Sequence, residues 1–133
     1  MLQRHIKTGH APGAIGPYSQ GVLVDVTPQG AGQLLVTAGQ IALDPVSGEM
    51  VPGGVAPETE RALQNLSAIL EAEGLTLRNV IKTTVYLATM EEFAAMNEVY
   101  AKFFPERPPA RSTVAVSGLP RNARVEIEAW AAR

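Results

Sequence analysis

Arg124-Val125-Glu126-Ile127-Glu128-Ala129-Trp130-Ala131 alternates between two kinds of side chain without a break. Successive Cβ atoms of an extended chain point to opposite sides. Val125, Ile127 and Ala129 therefore share one face, and Glu126, Glu128 and Trp130 share the other. A strand written this way turns one face to a core and leaves the second without one. It belongs in a sheet that helices cover on one side.

The rest of the chain supplies that sheet and those helices. Upstream, Pro108-Pro109 closes one element and Ala110 to Val116 reads as a strand of small and β-branched residues. Before it, Thr89-Met90-Glu91-Glu92 has the pattern of a capping box, and Phe93, Met96, Tyr100 and Phe103 form the stripe of a helix that Pro105 stops. Val80 to Leu87 is a second β-branched strand. A first helix starts near Pro57, with Glu58 and Glu60 in its opening turn and Ala62, Leu63, Leu66, Ile69 and Leu70 on one face. Gly74 ends it as a left-handed cap on which Leu75 folds back. Val22 to Val26 and Leu34 to Gly39 make a hairpin across the turn Thr27 to Gly32. Ala11 to Gly21 has too many breakers for a helix and too many apolar residues for a disordered tail, so it is an ordered loop. The order is β-β-α-β-α-β-β, with room for a short strand before the first loop. The expected architecture is α+β: one domain over residues 1–133, with a mixed sheet and two helices packed on one face. A bare sheet face of this size would be an apolar patch, so partner subunits are expected to cover it.

Composition narrows the function classes. The chain has 133 residues and no cysteine, which excludes disulfides, thiol nucleophiles and thiolate metal sites and fits a reducing, cytoplasmic setting. A net charge of −2 disfavours a nucleic-acid partner. The stretch Met1 to Lys7 lacks the apolar core of a signal peptide, and no run approaches a membrane span. His5 and His10 are the only histidines and form no ligand pair with a helical glutamate, so no metal site is expected. Phosphate-loop, dinucleotide and serine-elbow signatures are absent.

What remains is a spare set of groups. Arg111, at the mouth of a strand, is a planar, permanently charged fork suited to a carboxylate or phosphate. Glu126 and Glu128 lie two apart on the face that carries Trp130, where partial shelter makes a carboxylate a usable acid or base. Asn97 lies beside the stripe of the second helix, where an amide can serve the backbone or a site. Tyr18 offers either a core ring or a ligand-facing phenol. Such a set binds a small anion and places a water beside it.

Ala14-Ile15-Gly16-Pro17-Tyr18-Ser19-Gln20-Gly21, Thr37-Ala38-Gly39-Gln40-Ile41, Asn65-Leu66, Lys82-Thr83-Thr84-Val85-Tyr86-Leu87, Asn97-Glu98-Val99-Tyr100, Phe103-Phe104, Pro109-Ala110-Arg111-Ser112-Thr113-Val114 and Val125-Glu126-Ile127-Glu128-Ala129 stand in this order along the chain. Together they resemble the reactive intermediate deaminase A (RidA) family, also called YjgF/YER057c/UK114, from about residue 7 to the C-terminus. The resemblance implies a chorismate-mutase-like fold (bacillus type), a homotrimer and sites between subunits. It implies cofactor-free hydrolysis of 2-aminoacrylate, 2-iminopropanoate and 2-iminobutanoate to 2-keto acids and ammonia. By position, Arg111 would pair with the substrate carboxylate and Glu126 would handle the proton of the water or leaving ammonia. Tyr18 would line the pocket, backbone at Gly39 and Thr113 would hold substrate and water, and Asn97 would buttress the site. The chain departs from many relatives at Ala38, where they carry serine; Thr37 cannot replace that hydroxyl because it points to the opposite face. The turn from Thr27 to Gln33 is also longer than in compact members. Two other readings stand beside this one: an endoribonuclease, and a non-catalytic trimeric ligand-binding or holdase-like protein.

Overall fold

The computed structural model describes residues 2–133, and Met1 lies outside them. The elements are β1 (Gln3–Ile6), β2 (Gly21–Asp25), β3 (Gln33–Thr37), α1 (Val55–Glu71), β4 (Val80–Leu87), α2 (Phe93–Phe103), β5 (Ala110–Ala115) and β6 (Val125–Ala132). The strands form one sheet in the order β1-β2-β3-β6-β4-β5. Neighbours are antiparallel except β4 and β5, which α2 joins as a crossover. The short strand allowed before the first loop is β1.

The alternation of the last strand is realised in three dimensions. Val125, Ile127, Ala129 and Ala131 of β6 are buried, together with Leu23, Leu35, Val85 and Leu87 from the neighbouring strands. The helices cover this face: Ala62, Leu63, Leu66, Ile69 and Leu70 of α1 and Met96 and Tyr100 of α2 complete the core. Each large apolar side chain so buried contributes roughly 1.5–3 kcal/mol, so the one-faced pattern decides which way the sheet turns. On the other face lie Lys82, Thr84 and Tyr86 of β4, paired across the ladder with Trp130, Glu128 and Glu126 of β6. Trp130 there is 44% exposed.

The start of α1 agrees with expectation and the start of α2 differs. α1 begins at Val55, with Pro57 inside its first turn, where a missing N–H costs nothing. The Thr89 side chain does accept the Glu91 N–H at 3.2 Å, but Met90–Glu92 is a 3₁₀ turn and the box is not closed from the other side. The Glu92 carboxylate pairs with Arg124 instead, through the arginine Nε at 2.7 Å. A charge-assisted bond to a guanidinium outcompetes one to a neutral backbone N–H. Gly74 behaves as read: its φ is 74°, and the Leu75 N–H reaches back to the Leu70 carbonyl at 3.0 Å.

The Arg124 contact has a second half. Buried Glu58 accepts the Arg124 backbone N–H at 2.8 Å. Burial pushes the Glu58 carboxyl above the usual range, against the pull of that N–H and of the Arg124 charge. The starts of α1, α2 and β6 are thus tied at one point, two residues before Glu126.

Candidate active site

Arg111 enters the sheet one residue into β5, directly after the Pro108-Pro109 stop. Its partner across the ladder is Thr83, which in turn faces Ala129. Thr83 and Ala129 are buried under the helices, so Arg111 lies on the helix side. There its guanidinium stands over two rings of α2, 4.7 Å from the centroid of Tyr100 and 5.5 Å from that of Phe93. The Tyr100 hydroxyl shares a 2.7 Å hydrogen bond with the Thr83 hydroxyl. Burial holds the phenol above its usual pKa, while Thr83 and the Arg111 charge act the other way. Among the described residues the ion pairs are Arg4 with Glu73 and Arg124 with Glu92, and Arg111 takes part in neither. Its donors border an open cavity of about 410 Å³ that Asn97, Phe104 and Pro109 also line. Asn97 is half-buried, and among the described residues no hydrogen bond assigns its amide to the backbone.

Glu126 faces the other way. Its carboxyl is half-buried against the backbone of Gly39: a Cβ at that glycine would lie 2.9 Å from the glutamate Cδ and 3.0 Å from Oε2. The contact is set by a two-hydrogen-bond bridge next to it, Gln40 N–H to the Ile127 carbonyl at 2.8 Å and Ile127 N–H to the Gln40 carbonyl at 3.0 Å. Burial raises the Glu126 carboxyl above the usual range, and the like charge of Glu128 adds to it. Tyr18, Gly39 and Glu126 line one small cleft of about 70 Å³, with Gly13 and Ile41. Tyr18 is 49% exposed, and its hydroxyl accepts the Ile15 N–H at 3.3 Å.

The structure thus brings together Arg111 with Asn97, and Glu126 with Tyr18 and Gly39. It does not bring the two sets together within one chain. Arg111 stands level with Thr83 and Glu126 level with Tyr86, three residues or about 10 Å along β4. They also point to opposite faces of the sheet. Thr113, two residues after Arg111, is on the arginine side, opposite buried Val85. Its hydroxyl is, among the described residues, the buried side-chain polar atom left without a partner. The sequence reading gave this residue a backbone role and missed the hydroxyl. Thr37 points into the core as expected, where its hydroxyl accepts the Ala129 N–H at 3.0 Å.

Two buried amides that shape the site were given no site role by the sequence. Gln20 holds the first loop: its Oε1 accepts the Thr8 N–H at 2.6 Å, and its Nε2 reaches the carbonyls of Thr8, Ala11 and Pro12. Asn65 sits on the buried face of α1 and donates to the carbonyls of Ile41 and Leu43 at 3.1 and 3.0 Å. The signal for Asn65 was present, since a polar residue between Ala62, Leu63 and Leu66, Ile69 falls on the apolar stripe. Buried amides must find partners, and these fix the two loops that frame Tyr18 and Gly39.

Chemically, the arrangement offers a stacked guanidinium that joins no ion pair among the described residues and a sheltered carboxylate whose pKa burial raises. The chain matches the family described as Endoribonuclease L-PSP over residues 8–133. It is 48% identical over 131 residues to a Homo sapiens protein named 2-iminobutanoate/2-iminopropanoate deaminase, covering 98% of this chain and 90% of the human one. It is 51% identical over 130 residues to a RutC family protein of Pyrococcus horikoshii, covering 98% of both chains. Among solved structures, E. coli TdcF with bound serine superposes with a TM-score of 0.86 at 41% identity, covering 98% of each chain.

Proposed function

The chain belongs to the Endoribonuclease L-PSP family, and from that membership we propose that it is a cofactor-free deaminase that hydrolyses short 2-imino acids such as 2-iminobutanoate and 2-iminopropanoate. The observation that carries this reading is the Arg111 guanidinium, set over two rings with no carboxylate paired to it among the described residues. It is a receptor waiting for a small carboxylate. Relatives that carry the deaminase name, and a relative that holds the α-amino acid serine, support the same class of ligand.

In this reading Arg111 takes the substrate carboxylate through paired N–H bonds, and Asn97 and the Thr113 hydroxyl border the bound molecule. Glu126 accepts a proton as water adds to the imine carbon. Glu126 returns that proton to the former imine nitrogen, the new hydroxyl gives up its own proton to the nitrogen as C=O forms and the C–N bond breaks, and a 2-keto acid and ammonia leave. Imines are electrophilic already, so proton transfer worth roughly 10²–10⁴-fold is a sufficient contribution. Tyr18 and the Gly39 backbone close the glutamate side. Because Arg111 and Glu126 occupy opposite faces of the sheet, the working cleft joins the arginine side of one subunit to the glutamate side of another. A homotrimer that buries the open face provides that junction. The absence of cysteine supports a cytoplasmic setting for this activity.

The test couples the protein to a threonine dehydratase and follows 2-ketobutyrate. Addition of the protein should speed its release, and Arg111→Ala should remove the effect. Arg111→Lys should fail as well, because a point charge does not reproduce the fork. Equal rates with and without the protein would end the proposal. Salt-sensitive RNA cleavage lost with Arg111→Ala would point to a ribonuclease instead.

A further inference from the structure

An arginine in a partly buried site is usually held flat by a carboxylate, and that carboxylate then occupies its donors. Arg111 is held differently. Tyr100 lies 4.7 Å beneath the guanidinium and is 5% exposed. The ring itself is fixed from two directions. Phe104 stacks on it at 4.8 Å with an interplanar angle of 38°. Its hydroxyl is bound at 2.7 Å to Thr83, which is fully buried. Thr83 is also the residue opposite Arg111 in the β4–β5 ladder. Backbone of Arg111, Thr83, Tyr100 and the guanidinium therefore form one closed circuit. The ring meets the cation by its face and leaves the N–H edge unoccupied.

We propose that Tyr100, pinned by Thr83, is a positioning residue that fixes the plane of the Arg111 guanidinium and so presents its fork to a ligand carboxylate. The step to the ligand rests on the function proposed above; the step to the arginine does not. An unpaired arginine carries large rotamer freedom, and a bidentate contact requires most of it to be lost. The platform removes that freedom before the ligand arrives. A phenylalanine at this position would stack but would lack the anchor to the sheet.

The test uses three variants of the full chain, Tyr100→Phe, Tyr100→Leu and Tyr100→Leu combined with Arg111→Ala, with two readouts. The first is the Arg111 side-chain N–H resonance, assigned by its loss in Arg111→Lys. It should be shifted by the ring in the parent protein, keep most of that shift but sharpen less in Tyr100→Phe, and move most of the way toward a free arginine in Tyr100→Leu, where the more distant Phe93 ring at 5.5 Å remains. The second is the affinity for 2-ketobutyrate. It should fall about tenfold in Tyr100→Leu, in keeping with a desolvated cation–π contact, and about threefold in Tyr100→Phe. KM should rise in step while kcat changes little, and Tyr100→Leu should add nothing once Arg111 is alanine. An Arg111 resonance unchanged in both tyrosine variants, or effects that add to Arg111→Ala, would overturn the proposal. Tyr100→Phe preserves the core ring, so the resonance remains readable if Tyr100→Leu does not fold. A shifted resonance in a protein that binds no 2-ketobutyrate would support the platform and overturn the substrate reading alone.

Discussion

Gly39 matters for what stands next to it. A methyl group there would meet the carboxyl end of Glu126 at 2.9–3.0 Å, inside contact distance. The glutamate terminus is the flexible partner and would give way, while the backbone on both sides would stay. Gly39→Ala should therefore leave the melting temperature within a few degrees of the parent and yet cost about a hundredfold in imine hydrolysis, the usual penalty of a displaced catalytic group. A variant with unchanged activity would show that Glu126 does not need its present place. The neighbouring charge sets the second expectation at this scale. Glu126 is raised first by burial and second by Glu128. If its ionised form is the working one, activity falls as the pH drops through that raised value. Glu128→Gln removes the lesser cause, so the acid limb of the pH–rate profile should move to lower pH by part of the shift. A limb that stays in place would assign it to another group.

At the scale of elements, the loop after β3 owes its course to a helix residue. Asn65 of α1 spans to the carbonyls of Ile41 and Leu43 and accepts the Arg61 Nε–H at 3.0 Å. Asn65→Ala would take the amide donor from the Leu43 carbonyl, while the Ile41 carbonyl keeps the Leu43 N–H at 2.9 Å, and should destabilise the protein by about 1–3 kcal/mol in denaturant titration. Since Gly39 sits two residues before the anchored stretch, activity should fall even where folding persists. A loss under 1 kcal/mol would mean that water replaces the amide. The same elements show what a sequence can disclose. Strand and helix faces were legible because periodicity records burial directly, as in Val125, Ile127 and Ala129 or Leu63, Leu66 and Leu70. The Gln20 clamp was not, and Asn65 showed only as a polar residue on the apolar stripe, because a single amide carries no period and the carbonyls it binds lie elsewhere along the chain. Glu92 turned from cap to ion pair for the same reason, since Arg124 is 32 residues away.

At the scale of the molecule, the alternation of β6 predicted more than a fold: it left a sheet face with no helix to cover it. The resemblance supplied Arg111 and Glu126 as partners but not their geometry. Only the ladder shows that Thr83 and Tyr86, their respective neighbours in β4, point to opposite sides. If the cleft joins two subunits, the two residues need not come from one chain. Subunits bearing Arg111→Ala should be inactive, and so should subunits bearing Glu126→Gln. Unfolded together in equal amounts and refolded, they assemble at random in a ring. A given cleft then receives an intact arginine half the time and an intact glutamate half the time. The mixture should recover about a quarter of the parent activity, since the two choices are independent across a heterologous interface. Mixing the folded variants without exchange should recover none. If arginine and glutamate of one cleft came from the same chain, every cleft would be broken and the refolded mixture would stay inactive.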